Sequence, residues 1–248
     1  MEEQTEQQPS TTPSLIKLAG IGRRSLARDL KLRADDVVVA INGAQTELDM
    51  DQFELMMKSG AEEEILLTIY RNGAFFEVLA NGSLGSNLEF ARPELVEEIM
   101  AKLPQHQILE RDDYRQFEAL RNINRHVCLV DTEYSVLAVS LPALWLLNQR
   151  MWAPLGVVCA TYGVSYAVHP TLFMLVYVLM SVYFHKAHIQ LIRGYFLYTE
   201  HYFWMKIAAT SDKHAQEICR RFDARCSFDF SHVGAPEKQA KSSSAQTV

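Results

Sequence analysis

The side chains able to do chemistry are spread along this 248-residue chain rather than gathered into one motif. His185-Lys186-Ala187-His188 places two imidazoles about one helical turn apart, which is half of a metal site. Glu200 and His201 could join it only by folding, and histidines at the end of an apolar run are ordinarily interfacial. Gly163-Val164-Ser165 and His169 put a serine and a histidine in one stretch, whereas hydroxyl activation needs them on different packed helices. Gly20-Ile21-Gly22-Arg23-Arg24 is glycine-rich but lacks a nucleotide-binding layout, so it reads as a turn. Neither His-Glu-x-x-His nor Gly-x-Ser-x-Gly occurs. Cys128, Cys159, Cys219 and Cys226 are too few and too scattered for a disulfide framework. Reduced thiols are expected; Cys219 and Cys226, seven apart on one helical face, could bridge only between chains. No catalytic residue, no metal site and no cofactor is expected, which points to binding rather than catalysis.

Charge divides the chain. Residues 1–110 hold 19 acidic and 10 basic side chains, residues 134–248 hold 6 and 10. An acidic front without a basic stripe argues against nucleic acid as a partner. Between Tyr134 and His185 the only charge is Arg150. A block of that length with one charge is a membrane signature, so the lipid bilayer is an expected partner. The first residues carry no basic start and no apolar run, unlike a signal peptide, and read as a disordered lead over 1–13.

Behind the lead, Leu15-Ile16-Lys17-Leu18 suggests a short strand and Val37–Ile41 a buried one closed by Asn42-Gly43. A helix is expected over Asp49–Lys58, with Asp49 or Asp51 as N-cap, Phe53, Met56 and Met57 on its apolar face, and Gly60 as its stop. Ile65–Tyr70 and Phe75–Leu79 around Asn72-Gly73 form a hairpin with a type I′ signal. The expected fold is α+β: a small, partly open barrel with one short helix over residues 14–90, followed by an all-α membrane hairpin.

Ser25–Gly43, with Asp36 and Ile41-Asn42-Gly43, resembles the bacterial PDZ segment SPAxxAGLxxGDxIxxING. Lys31 and Asp35 stand where that family has glycines and Leu26 where it has proline; the resemblance covers about a quarter of the chain. It implies peptide binding by strand addition, holding a partner protein through an extended or C-terminal segment. Leu15, Ile16, Lys17, Leu18 and Ala19 would form the edge strand, lined across by Phe53, Met56 and Met57. The family's carboxylate loop should precede Leu15, where only Thr11-Thr12-Pro13-Ser14 stand. Gly82-Ser83-Leu84-Gly85 has the pattern of that loop but lies after the last strand of the hairpin, and Ser83–Phe90 is expected to complete the sheet.

Residues 91–133 are expected to be a helical linker, Arg92–Ala101 and Asp112–Val127 separated by Leu103-Pro104. Residues 134–206 form the membrane region, in which His169-Pro170 divides Met151–Val168 from Thr171–His185 as a hairpin. Tyr134–Gln149 is either re-entrant and interfacial or a third crossing. His188–Lys206 reads as an amphipathic helix on the membrane surface, residues 207–233 as a cytoplasmic helical segment, and 234–248 as a disordered tail. Arg115, Arg121 and Arg125 before the block, and Lys186, Arg193 and Lys206 after it, put both ends in the cytoplasm by the positive-inside rule. Leu144–Trp152 and Gly194-Tyr195-Phe196-Leu197-Tyr198 with His201 are similar to a family of small bacterial membrane proteins of uncharacterised function, which implies a bacterial inner membrane. A membrane-anchored, non-enzymatic adaptor is the leading expectation; a regulatory or accessory subunit of a transporter or protease complex is the alternative. The tail, ending Thr247-Val248, is of a kind such a groove accepts, which offers a homo-oligomer by tail capture; the alternative is an inert tail whose final valine has no role.

Overall fold

The computed structural model describes residues 14–45, 49–59, 64–133 and 135–237. The N-terminal lead, Gly60 as the expected helix stop, and the tail from Lys238 onward lie outside the described residues.

Alternation builds the first half. β1 (Ile16–Ile21) and β2 (Val37–Ile41) lie antiparallel, and β2 sends Val38 and Ile41 into one core cluster and Val37 and Val39 into another. That two-sided burial explains an apolar run without polar interruptions. After the two-residue β3 (Ala44–Gln45) come α2 (Met50–Ser59) and the hairpin β4 (Ile65–Arg71) and β5 (Ala74–Ala80). Its loop residues Asn72 and Gly73 have φ of 47° and 87°, as a type I′ turn requires. Between β1 and β2, the short α1 (Leu26–Asp29) is capped by Ser25, whose Oγ accepts the Arg28 N–H. Lys31 and Asp35, which replace glycines of the resembled motif, both adopt left-handed backbone, with φ of 58° and 72°. Asp36 follows as a buried anchor: Arg71 Nε and Nη2 donate to its two oxygens at 2.7 and 2.6 Å, and the Arg33 N–H donates at 2.7 Å.

β6 (Ser86–Phe90) pairs with β1, and α3 (Pro93–Lys102), begun by a proline in its first turn, covers the Val37 and Val39 face. The expected helix Asp112–Val127 is absent. In its place β7 (Arg115–Arg121) and β8 (Val127–Asp131) form a hairpin, because Phe117 and Ala119 alternate into the main core while Leu120 faces a second one.

Four helices follow: α4 (Val136–Ser140), α5 (Pro142–Asn148), α6 (Trp152–Val168) and α7 (Pro170–Tyr198). His169 breaks the apolar run as expected, its Nδ1 accepting the Thr171 N–H to cap α7. Among the described residues only α7 is long and apolar enough to cross a membrane; α6 is apolar but shorter. The helix expected over His188–Lys206 holds only as far as Tyr198, as the end of α7. α7 stops at Tyr198, and β9 (Tyr202–Ala209) alternates Met205, Ile207 and Ala209 into the core. Within the segment expected to be helical over 207–233, only α8 (Asp212–Phe222) is an α-helix, capped by Ser211.

β9 returns to the sheet between β5 and β7, so the nine strands of the described residues share one antiparallel sheet of order β6-β1-β2-β4-β5-β9-β7-β8, with β3 beside β2. The fold is α+β, and strands from both halves of the chain lie in this one sheet. Cys219 and Cys226 are both fully buried in the main core, which removes them from any bridge between chains. At the junction of sheet and helices, the fully buried Glu118 of β7 receives Arg193 of α7 through both Nε, at 2.7 Å, and Nη2, with Lys206 Nζ at 3.5 Å.

Candidate peptide-binding groove

β1 cannot be the strand that accepts a peptide. It pairs with β2 through Ile16 and Lys17 on one side and with β6 from Ile16 to Ile21 on the other, so it is not an edge of the sheet. Leu15, Ile16 and Leu18 are buried core residues, and Lys17 and Ala19 are half-buried between neighbours. The strand's early position suggests an edge; its true partner lies some 70 residues later in sequence.

β6 is the open edge. The Gly22 N–H donates to the Gly85 carbonyl and the Ala91 N–H to the Leu15 carbonyl. Those bonds make Ile21–Ser86, Leu18–Leu88 and Ile16–Phe90 the pairs whose own backbone groups point away from each other. The N–H and C=O of Ser86, Leu88 and Phe90 therefore face outward, along the side of the strand that has no neighbour in the sheet.

The loop before β6 is turned the same way. The carbonyl of Leu84 accepts from Ala27 of α1, and that of Gly85 from Gly22. A trans peptide sets N–H opposite C=O, so the N–H groups of Gly85 and Ser86 point away from α1. Gly85 has φ of 63° and lies so close to the α1 cap that a Cβ there would meet Ser25 Cβ at 2.9 Å. Only glycine satisfies both demands.

A cleft runs between this loop and α2, lined by Phe53, Met57, Ser83, Leu84, Ser86 and Leu88. Phe53 and Met57 line this cleft, although both are buried; none of Leu15–Ala19, expected to border the groove, lines it, nor does Met56, which is 37% exposed. The free volume of the whole cleft is about 10 Å³, at the lower limit for one water. The loop and β6 carry the polar half of this geometry; Gly82-Ser83-Leu84-Gly85 was their signal in the sequence.

Among the other singled-out residues, Cys128 Sγ lies 3.7 Å from His201 Nε2. His188 is buried and meets Trp145 edge-on with ring centroids 6.0 Å apart, whereas His185, about one turn earlier on α7, is exposed. Gly20 and Gly22 belong to the end of β1 and the turn after it, in keeping with a structural role.

A larger concavity of about 670 Å³ lies where the two halves of the sheet meet, lined by Phe75, Lys102, His106, Tyr114, His214 and Arg221 among others. Next to it the buried Glu77 contacts His106 Nε2 at 2.5 Å. Burial holds the His214 imidazole below its ordinary pKa. The chain matches no protein-family model and no curated protein, so geometry alone carries the functional reading.

Proposed function

We propose that the chain is a non-enzymatic, membrane-anchored adaptor with a PDZ-like groove, which captures an extended peptide as an additional strand on β6. The observation that supports it most is the conjunction of an open strand edge, a loop with outward N–H groups and an apolar cleft against α2. Residues 86, 88 and 90 supply the backbone ladder, and Gly85 and Ser86 supply donors for a peptide carboxylate.

The anchor in this reading is the α6–α7 pair. Only 11% of the most apolar 18-residue stretch of α7 is buried, whereas a core helix of a soluble protein would be covered. Met174, Leu175, Val178, Leu179 and Val182 stand bare along it. α6 spans ~26 Å and the uncharged part of α7 (residues 170–185) ~24 Å at ~1.5 Å per residue, matched lengths for a thin hydrocarbon core. Because β8 and β9 lie in one sheet, the excursion between them starts and ends on one side, which favours two crossings over three.

Leu88→Pro tests the groove. Proline deletes the outward N–H of an edge strand and leaves the inner ladder intact; because the Leu88 side chain also packs against the main core, Leu88→Ala, which keeps the N–H, is run beside it as the packing control. Full-length protein in mild detergent is used to select binders from a library of decapeptides with apolar C-termini. Peptides bound by the wild type and by Leu88→Ala and lost at least tenfold by Leu88→Pro support strand addition. Equal binding by the wild type and Leu88→Pro removes it.

A further inference from the structure

We propose that His126, Cys128, His201 and Asp229 form a tetrahedral zinc site that fastens the foot of α7 to the sheet. One ring nitrogen of each histidine and the Cys128 sulfur all lie within 4.8 Å of one another. Cys128 Sγ is 3.7 Å from His201 Nε2, and Asp229 Oδ1 is 3.3 Å from His126 Nε2. Zinc with Zn–N of ~2.0 Å, Zn–S of ~2.3 Å and tetrahedral angles places N and S ~3.5 Å apart and N and O ~3.3 Å apart. The Cys128–His201 pair needs to close by about 0.2 Å and the His126–Asp229 pair already has the required spacing; the remaining separations within the His126, Cys128 and His201 group, all under 4.8 Å, close by up to ~1.5 Å, and Asp229 swings in from the His126 side.

Three separate pieces of the chain deliver these groups, and each is held by its backbone. His126 ends the β7–β8 turn, where Asn122 Oδ1 accepts its N–H at 2.9 Å, and Cys128 follows in β8. His201 sits at the C-terminus of α7: Glu200 has φ of 63°, and the His201 N–H reaches back to the Phe196 carbonyl at 2.9 Å. That pairing with a left-handed residue before it is a Schellman cap, which fixes where the imidazole stands. Asp229 arrives on the segment after α8, whose Ser227 is bridged to His126 in parallel.

The remaining ring nitrogens are already engaged. His126 Nδ1 faces Ser227 Oγ at 3.3 Å, and His201 Nδ1 lies 3.0 Å from the Thr199 carbonyl and 3.1 Å from its hydroxyl. An outer partner on one nitrogen orients the other toward a metal, a recurring arrangement for ligating histidine. Two imidazoles, a thiolate and a carboxylate make a borderline donor set that suits zinc over calcium or magnesium. The ion would exchange for the thiol proton on binding, with no change of oxidation state.

Cobalt(II) reports directly on this geometry. Full-length protein in detergent, stripped with chelator and titrated with cobalt(II), should bind one equivalent, with tetrahedral d–d absorption and a thiolate-to-cobalt charge-transfer band. Zinc should displace it stoichiometrically. Cys128→Ser should abolish the charge-transfer band, while Cys159→Ser, on the exposed face of α6, should retain it. Asp229→Asn should weaken zinc by about tenfold or more, a second reading if the cysteine variant folds poorly. Absence of the charge-transfer band in the wild type, or its persistence in Cys128→Ser, overturns the site.

Discussion

Arg193→Ala should destabilise the protein more than Glu118→Gln, and the two substitutions together should cost far less than their sum. Glu118 is fully buried, while the Arg193 side chain is 39% exposed and Lys206 21%. Removing Arg193 leaves a buried carboxylate with a single cation at 3.5 Å, close to the case of a broken buried pair, about 3–4 kcal/mol. Glu118→Gln removes the charge but keeps an acceptor, and the released guanidinium can reach water, so about 2 kcal/mol is expected. In the Glu118→Gln background, losing Arg193 no longer strands a charge. The cycle should therefore show a coupling of about 2 kcal/mol. Urea unfolding of the full-length proteins in mild detergent, with hydrogen exchange of β7 and β9 amides as the local reporter, measures all four corners. Additivity within about 0.5 kcal/mol would refute the idea that this contact joins α7 to the sheet.

Lys31→Gly should raise stability by roughly 0.5–1 kcal/mol, because relief of a left-handed backbone exceeds the entropy that glycine adds to the unfolded chain; an unchanged or lower melting temperature contradicts this. Stability should fall as pH drops below about 6.5, since burial holds His214 neutral in the folded state and the unfolded chain takes up the proton first. Around it Glu77 and Glu217 favour its protonation, and Arg221 and His106 oppose it. In His214→Gln the loss between about pH 7 and 5 should be smaller, as read by melting temperature at each pH.

What could be read in the sequence was local. Val37–Ile41, the Asn72-Gly73 hairpin, the Phe53 and Met57 face and the His169-Pro170 break each announce themselves within a short stretch of chain, and each stands where expected. The failures are questions of pairing. β9 is rich in aromatics and follows an apolar helix, so its short-range pattern suggests an interfacial helix; the strand is dictated by β7, more than 80 residues earlier. β7 and β8 are charged enough to read as a surface helix until that partner is known. The groove followed the same logic. Its helix was legible, but which strand bordered it depended on β1 meeting β6, and periodicity says nothing about partners. His126, Cys128 and His201 are harder still, because 73 residues separate the last two and each has an unremarkable neighbourhood in sequence.

The insertion of β9 between β5 and β7 has a consequence for the order of events during synthesis. Strands β1–β6 can all find their partners among themselves, but the outer edge of β5 must wait until Tyr202 leaves the ribosome, 122 residues after Ala80. At elongation rates of ~5–20 residues per second, that edge stays unprotected for roughly 6–25 s. During the same interval the apolar pair α6–α7 must reach its own environment. A delay in placing those helices would therefore surface as aggregation of the acidic sheet domain through the bare side of β5, far from the segment that stalled.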